Sequence, residues 1–404
     1  MITGDAGLHV AIVGGGIGGL FLANALQAQN CRVSVYEQAP QLGEIGAGVF
    51  ITPNSVRHLQ RVGLGASVEK WGARVGPRSH YFRHDGAPIA PVQVTDSSGW
   101  NATFGMHRAD LVAMLAERLP EKTIHTGCRC IDFSQDEHGA RIFLSTGAAI
   151  EADLVVAADG IHSELRRRVV PPSHPTFSGS VAYRGLVARE LVPEWPADAW
   201  LMWLGKNKHF LAFPVRGGEL VNYVGFVAAD QEMKESWSAP GDPEILRREF
   251  AGWDPRIVSL LDHVKSTFRW ALYDREPLST WTCGRLGLLG DAAHPMLPHL
   301  GQGANQSIED GVALATLLSG AGPDAAPAAL QTYERLRRDR VAQVQRGARE
   351  NGLRYDSSYS DLGLRDAEIA AHAAFRRRLY DYDVVPLARA ARDGGPIPAE
   401  SARL

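Results

Sequence analysis

Apolar residues along this chain occur in two kinds of run, and the first kind predicts buried parallel strands. Residues 9–13, 32–36, 152–160 and 285–290 are short runs rich in Val, Ile, Leu and Ala. Continuous apolar runs of this length are typical of strands covered on both faces. Each run ends at or beside a glycine or an acidic residue, which is where the strands of a parallel sheet meet a ligand crevice.

The second kind of run alternates apolar and polar residues and predicts antiparallel strands. It covers residues 71–100 and the shorter stretches 181–187, 199–204, 209–214 and 220–227. Such alternation is typical of a sheet with one buried face.

Apolar residues at helical spacing predict helices at 53–64, 107–119 and 304–318. Beyond residue 347 the charge content rises, and we expect peripheral helices with Arg376–Arg378 on a solvated face.

The order of these runs predicts an α/β fold: a Rossmann-like dinucleotide-binding domain, an inserted antiparallel-sheet substrate domain and a helical C-terminus. At 404 residues the chain exceeds what one hydrophobic core usually supports. The predicted dinucleotide-binding domain is discontinuous and comprises residues 1–72, 101–178 and 272–350. The predicted substrate domain comprises 73–100 and 179–271, and 351–404 form the C-terminal helical segment.

Composition narrows the classes of function. The net charge is −3 and no basic block occurs, which argues against nucleic acid as the main partner. There is no apolar stretch of about eighteen residues and no signal-like start, so we expect a soluble, cytoplasmic protein without a membrane partner. The four cysteines are too scattered for a disulfide framework, and Cys128 and Cys130 lack a second ligand pair, so we expect no metal site.

A glycine-rich turn after the first strand predicts a dinucleotide site. Gly14, Gly16 and Gly19 satisfy G-x-G-x-x-G between a strand and a helix, and Glu37 ends the second strand. An acid at this spacing accepts hydrogen bonds from a ribose. The motif alone does not distinguish FAD from NAD, so a nicotinamide-only dehydrogenase stays open as an alternative.

A second glycine-containing loop follows the last predicted strand. Pro295 and Pro298 stiffen it, and Gly301 and Gly303 allow backbone to approach a flat ligand. The helix that begins nearby offers backbone N–H groups to a planar, electron-rich group.

Three elements in this order carry a resemblance to a known family. They are the glycine fingerprint with Glu37, the run Ala-Asp-Gly-Ile-His-Ser-Glu-Leu-Arg at 158–166, and Gly-Asp-Ala-Ala-His-Pro at 290–295. Over about residues 8–350 the chain resembles the single-component, FAD-dependent aromatic hydroxylases of the 4-hydroxybenzoate hydroxylase type. It is most similar to salicylate, 3-hydroxybenzoate and 6-hydroxynicotinate hydroxylases.

The resemblance implies FAD as cofactor. It places Glu37 at the adenosine ribose, Arg108 near the pyrophosphate and Asp291 at the ribityl chain. Asp159 is implied to serve FAD and the nicotinamide, although a simple helix N-cap is an alternative. The implied FAD-binding set is completed by Gly14, Gly16, Gly19, Gly48, Cys130, Gly303, Ala304 and Asn305.

The implied reaction is monooxygenation, in which NADH or NADPH reduces FAD and O2 forms a flavin C4a-hydroperoxide. We expect a small phenolic or hydroxy-heteroaromatic acid as substrate, with or without loss of its carboxylate as CO2. A tailoring hydroxylase of an aminohydroxybenzoate or larger phenol is the near alternative, and a flavin-binding protein without turnover is a further one. We expect a monomer or a homodimer.

Two histidines are candidate catalytic residues. His299 follows Pro298 in the second glycine-containing loop, and salicylate and 6-hydroxynicotinate hydroxylases carry a histidine at the matching place. With an ordinary pKa of about 6.5, an imidazole there can accept a phenol proton. His209 is the second candidate, whereas His294 is expected to be structural.

The substrate wall is expected to include Phe50, Phe213, Pro298 and both catalytic candidates. Phe213 departs from relatives that carry tyrosine there, which leaves stacking in place of a hydroxyl contact. Arg184 and Arg83 are candidate cations for a substrate carboxylate.

Overall fold

Two large sheets carry the fold, and a computed structural model describes residues 7–43, 47–229, 239–356 and 359–397. Its strands are β1 His9–Val13, β2 Arg32–Tyr36, β3 Gly48–Ile51, β4 Ala73–Arg74, β5 His80–Arg83, β6 Pro88–Pro91, β7 Phe104–His107, β8 Ile124–His125, β9 Cys130–Gln135, β10 Ala140–Leu144, β11 Ala149–Ala152, β12 Leu154–Ala157, β13 Thr176–Ala188, β14 Leu201–Gly205, β15 Lys208–Val215, β16 Leu220–Ala228, β17 Pro240–Gly241, β18 Thr267–Asp274, β19 Thr282–Cys283 and β20 Leu286–Leu288. Its helices are α1 Ile17–Gln27, α2 Pro53–Arg61, α3 Gly65–Trp71, α4 Arg108–Glu117, α5 Pro243–Glu249, α6 Pro255–Asp262, α7 Gly303–Leu318, α8 Ala326–Tyr355, α9 Leu362–Ala371, α10 Ala373–Asp381 and α11 Val384–Arg392. None of these helices is both long and apolar enough to cross a bilayer.

The first large sheet has the order β19-β20-β12-β1-β2-β8, and all its pairs are parallel except β19 with β20. Its central strands are buried because their residues are almost all apolar. Helices α1 and α7 cross so closely that a Cβ on Gly311 would lie 2.8 Å from Cδ1 of Phe21. The predicted Rossmann-like part of the α/β fold is confirmed.

The second large sheet has the order β17-β18-β13-β16-β15-β14-β5-β6. It is antiparallel as predicted, except that β14 and β5 run parallel, because β5 reaches the sheet from the earlier chain segment. One face packs on a core that includes Trp203, Phe210 and Tyr223. Helices α5 and α6 cover that core, and each follows an N-cap aspartate, Asp242 or Asp254, whose side chain accepts a hydrogen bond from a backbone N–H of the first turn.

The strands of the antiparallel sheet come mainly from the two segments predicted as an insertion, and those of the parallel sheet come from the flanking segments. The exact limits between these units stay a prediction. A three-stranded sheet, β3-β7-β4, lies between them. A Cβ on Gly48 of β3 would lie 2.6 Å from Cε2 of Phe213, so the two units approach closely at this point.

A buried ion network fixes helix α7 against α8. The Arg337 guanidinium donates to Glu309 at 2.5 Å and to Asp310 at 2.8 Å. The second Asp310 oxygen lies 2.5 Å from Nε2 of His294, and all four side chains are buried. The loop between β20 and α7 is therefore attached to α7 at His294. The contact with Asp310 supports a structural role for His294, which stays a prediction.

Candidate active site

A cavity of about 550 Å³ lies where the carboxyl ends of the parallel strands face the antiparallel sheet. Its size is typical of a cofactor or small-molecule site. The predicted site residues that line it are Gly16, Gly48, Phe50, Arg108, Asp159, His209, Phe213, Asp291, Pro298, His299, Gly303 and Ala304. Those that do not line it are Gly14, Gly19, Glu37, Cys130 and Asn305.

The glycine fingerprint at the end of β1 has the geometry of a dinucleotide turn. A Cβ on Gly14 would lie 2.2 Å from the carbonyl oxygen of Ala158, and one on Gly19 would lie 2.0 Å from the carbonyl oxygen of Gly14. Both glycines are therefore required by close packing. A Cβ on Gly16 would meet no protein atom within 4 Å, and Gly16 lines the cavity at the start of α1. This open position beside a helix N-terminus fits a pyrophosphate.

Glu37 lies beside this turn and outside the cavity wall. Its Oε2 accepts from the backbone N–H of Gly15 at 2.7 Å, and its Oε1 accepts from that of Ala39 at 2.7 Å. A carboxylate has about four acceptor positions. Two internal bonds therefore leave acceptor capacity for ribose hydroxyls.

Two aspartates line the cavity at the ends of β12 and β20. Asp159 accepts from the Glu164 N–H through Oδ2, but it does not occupy the N-cap position of the short 3-10 helix that follows, which is Glu164; its buried Oδ1 has no hydrogen-bond partner among the described residues. Burial raises the pKa of both Asp159 and Asp291. Half-buried carboxylates that face a cavity fit the hydroxyl groups of a polyol chain.

Arg166 connects these two strand ends, and its role was not predicted. Its guanidinium donates to the carbonyl oxygens of Asp291 at 2.8 Å, Ala292 at 2.7 Å and Ile161 at 2.9 Å. The burial of Arg166 lowers its pKa to about 10. The motif at 158–166 contains this arginine, so the sequence did carry the signal for it.

Helix α7 begins at Gly303, and no side chain caps its N-terminus. Gly303 and Ala304 line the cavity, so unsatisfied N–H groups face it. The Asn305 side chain instead supports β3, because its Nδ2 donates to the Phe50 carbonyl at 2.9 Å and its Oδ1 accepts from Thr52 N at 2.9 Å. The Asn305 side chain therefore does not contribute to the cavity wall.

Cys130 is not brought to the cavity. It lies buried at the start of β9, where its Sγ donates to the Asp132 carbonyl at 3.5 Å, and burial raises its pKa to about 11. The thiol is therefore an apolar packing group in this position, and the assignment of Cys130 to the cofactor site stays a prediction. No set of three or more metal-binding side chains occurs among the described residues.

The two candidate histidines lie side by side in the cavity wall. Their ring centroids are 5.2 Å apart, and neither Nδ1 of His299 nor Nε2 of His209 has a hydrogen-bond partner among the described residues. Nδ1 of His209 lies 2.6 Å from Oδ1 of Asp356, at the end of α8. Asp356 was not predicted, because nothing in the local sequence links it to a strand 147 residues earlier.

The pKa of His299 differs from the sequence-based expectation. Burial, reinforced by the adjacent His209, lowers the pKa of His299 to about 3. The ordinary value of 6.5 therefore does not describe the pKa of His299 in the folded protein. His299 is a neutral imidazole at ordinary pH, whereas His209 has a carboxylate to balance a positive charge.

Aromatic rings form the wall next to the histidines. Phe50 and Phe213 are 4.1 Å apart between centroids, and Trp200 meets Phe50 edge-on at 6.0 Å. Phe226 stacks on His209 at 4.1 Å. The wall can thus hold a flat ring by stacking, as expected for Phe50 and Phe213.

The cations of the site differ from the prediction. Arg83 forms an ion pair with Asp366 and does not line the cavity, whereas Arg184 does line it. Arg376 was expected on a solvated face, which is wrong: it is 6% exposed and lines the cavity, while Arg377 and Arg378 are exposed. Helix α10 turns Arg376 toward Tyr380, one helical turn later, and both face inward.

Known proteins match almost the whole chain. The family described as "FAD binding domain" matches residues 7–348. A 3-amino-4-hydroxybenzoate 2-monooxygenase of Streptomyces platensis is 39% identical over 386 residues, which cover 94% of this chain and 97% of that protein. A salicylate hydroxylase of Pseudomonas putida is 37% identical over 412 residues, with 93% and 92% covered. A solved salicylate hydroxylase substrate complex has a TM-score of 0.84 at 30% identity, with 98% and 99% covered.

Proposed function

Because this chain belongs to the FAD binding domain family, and within it to the single-component FAD-dependent aromatic hydroxylases, we propose that it hydroxylates a small aromatic acid carrying a ring hydroxyl. The protein is an FAD-dependent aromatic monooxygenase, with NAD(P)H and O2 as the co-substrates typical of these enzymes. Membership in this family argues against the nicotinamide-only dehydrogenase that the glycine motif left open. The observation that carries the proposal is the pairing of His209 with His299 in an aromatic-walled cavity.

The residues at the strand ends fit FAD. Gly16 and the start of α1 would receive the pyrophosphate, with Arg108 as the cation that faces the same cavity. Asp159 and Asp291 would accept hydroxyl groups of the cofactor, and Glu37 the ribose. Gly303 and Ala304 would present N–H groups to the ring system. When bound and reduced, FAD supplies the oxygen-transfer chemistry.

The histidine pair would manage the proton of the substrate hydroxyl. A phenolate is a much better nucleophile than a phenol, so removing this proton is worth roughly 10²–10⁴ in rate. We assign the proton to His209, because Asp356 at 2.6 Å stabilises its imidazolium. His299, neutral and buried, would position the hydroxyl group by hydrogen bonding.

The substrate class follows from the relatives and the cavity together. The names of the relatives above designate enzymes that act on salicylate and on 3-amino-4-hydroxybenzoate, which both combine a carboxylate with a ring hydroxyl. We propose the same combination here. An aminohydroxybenzoate of a biosynthetic pathway and a hydroxy-heteroaromatic acid both satisfy it. The cytoplasmic location and the monomeric or homodimeric state stay predictions.

A screen with purified holoenzyme tests this proposal. NADH and NADPH oxidation is followed with salicylate, 3-amino-4-hydroxybenzoate and 6-hydroxynicotinate, and products are identified by mass spectrometry. At least one acid should stimulate oxidation and gain one oxygen atom. Carboxyl-labelled substrate then decides between simple hydroxylation and release of labelled CO2. Oxidation that no aromatic acid accelerates would contradict the proposal and favour a flavoprotein without turnover.

A further inference from the structure

We propose that Arg376 binds the carboxylate of the aromatic substrate, an assignment that rests on the proposed function. Arg376 lies on α10, in the C-terminal helical segment beyond residue 348, where the family match ends. Its side chain lines the cavity and is 94% buried. The substrate anchor would therefore come from outside the FAD-binding core.

The guanidinium of Arg376 has no counter-ion in the part of the chain that the structure describes. Its contacts are neutral: Nη2 donates to the Tyr355 hydroxyl at 3.2 Å, and its Cζ lies 5.5 Å from the Trp200 ring centroid. Its Nε is buried and has no hydrogen-bond partner among those residues. Arginine stays protonated in proteins, and a buried charge without a partner is costly. An anionic ligand would satisfy both the charge and the Nε–H.

The neighbours of Arg376 connect it to the catalytic histidines. The Tyr355 ring is 5.3 Å from the His209 ring, so Arg376 and His209 contact the same tyrosine. Trp200, which Arg376 overlies, also meets Phe50 in the aromatic wall. A benzoate-type ring against this wall would direct its carboxylate to Arg376 and its hydroxyl to the histidine pair. The planar guanidinium matches a carboxylate in a bidentate manner.

The other arginines of the region are less suited to this role. Arg83 is already paired with Asp366 at 2.6 Å and does not line the cavity. Arg184 does line the cavity, but it overlies Trp270 at 5.8 Å and forms further interactions within the protein. An experiment should therefore compare Arg376 with Arg184.

The test measures binding of matched acids and amides to the holoenzyme. The probes are salicylate with salicylamide, and 3-amino-4-hydroxybenzoate with its amide, followed by isothermal titration calorimetry. The variants are Arg376→Gln, Arg376→Lys and Arg184→Gln. Arg378→Gln is the matched control, because Arg378 belongs to the same arginine triplet but is exposed.

The wild-type protein should prefer an acid over its amide. Arg376→Gln should weaken the binding of the acid by about 10- to 100-fold, since a hydrogen-bonded ion pair is lost. Binding of the amide should stay almost unchanged. Arg376→Lys should recover part of that loss, and Arg378→Gln should behave as wild type. Recovery by lysine separates a charge effect from a folding defect.

Two results would overturn the assignment while leaving the proposed function intact. One is an equal loss of binding affinity for the acid and for the amide in Arg376→Gln, which would indicate a structural role of Arg376. The other is loss of the acid preference in Arg184→Gln alone. If the wild-type protein binds no aromatic acid and none stimulates NADH oxidation, the proposed function and the assignment of Arg376 both fail.

Discussion

His299 should remain neutral throughout the pH range in which enzymes of this kind are assayed. Its side chain is 6% exposed and its Nδ1 has no hydrogen-bond partner among the described residues. Burial and the adjacent His209 lower the pKa of His299 to about 3. Protonating this imidazole in the folded protein would place a charge in a nearly dry wall, which is why the neutral form is favoured.

The effect of this neutral imidazole on stability follows from the difference between the pKa of His299 in the folded chain and in the unfolded chain. Unfolding restores the ordinary value of 6.5, so between pH 6.5 and about 3 the unfolded chain binds one more proton than the folded chain. The stability contributed by the neutral state is therefore complete above pH 6.5 and is lost as the pH falls. The loss is roughly 1.4 kcal/mol per pH unit and reaches roughly 2 kcal/mol at pH 5.

Two measurements check this prediction. In NMR spectra of histidine-labelled protein, the resonance that disappears in His299→Asn should not titrate between pH 8 and 5. In urea unfolding, lowering the pH from 8 to 5 should reduce the free energy of unfolding of the wild type by about 2 kcal/mol more than that of His299→Asn, which lacks the imidazole. His138→Asn, at an exposed turn, is the control for loss of an imidazole. A midpoint near 6.5 for His299 would refute the reasoning.

The same reasoning changes what we expect from kinetics. A base with a pKa near 6.5 would make the loss of turnover in a His299 variant largest at low pH. A neutral His299 that only positions the hydroxyl group predicts a loss of similar size at every pH.

Further predictions concern the cofactor turn and the buried ion network. Gly16→Ala should lower the FAD content of the purified protein without lowering the unfolding midpoint of the FAD-free protein, because its Cβ meets no protein atom within 4 Å; full FAD content would contradict this. Gly19→Ala should instead destabilise the fold by about 1–3 kcal/mol, since its Cβ would lie 2.0 Å from the Gly14 carbonyl oxygen. Arg337→Met should cost about 3–5 kcal/mol in urea unfolding, because it removes the buried guanidinium that pairs with both Glu309 and Asp310, leaving Glu309 with the more distant Arg340. A loss of less than about 1 kcal/mol in the free energy of unfolding of Arg337→Met would contradict this prediction.

The parts of the fold that could be predicted from the sequence are those specified by short-range patterns. The strand that precedes Gly14 and the helix that begins at Gly303 each combine a pattern of apolar residues with a glycine at a fixed position. The interleaving of the two sheets followed from the order of such patterns along the chain. The parallel pairing of β14 with β5 could not be predicted, because it joins residues 121 positions apart, such as Leu201 and His80.

The missed site residues lie on helices whose position depends on tertiary packing. Asp356 reaches His209 only because α8 runs along the loop that contains His299. A Cβ on Gly352 would lie 2.5 Å from Cδ2 of His299, so this contact depends on a glycine in the helix. No local signal distinguishes that glycine from one that merely weakens a helix.

Arg376 shows why a pattern of apolar and polar residues fails at a binding site. The pattern assigns every arginine to solvent, and for Arg377 and Arg378 that assignment is correct. Yet Arg376 lies three and four positions before Leu379 and Tyr380, which are buried, so helical spacing places all three on one face. A cation on an otherwise apolar helix face conflicts with burial unless a ligand compensates its charge. Such local conflict is therefore a signal for function, and here it points to the end of the cavity where the substrate carboxylate is expected.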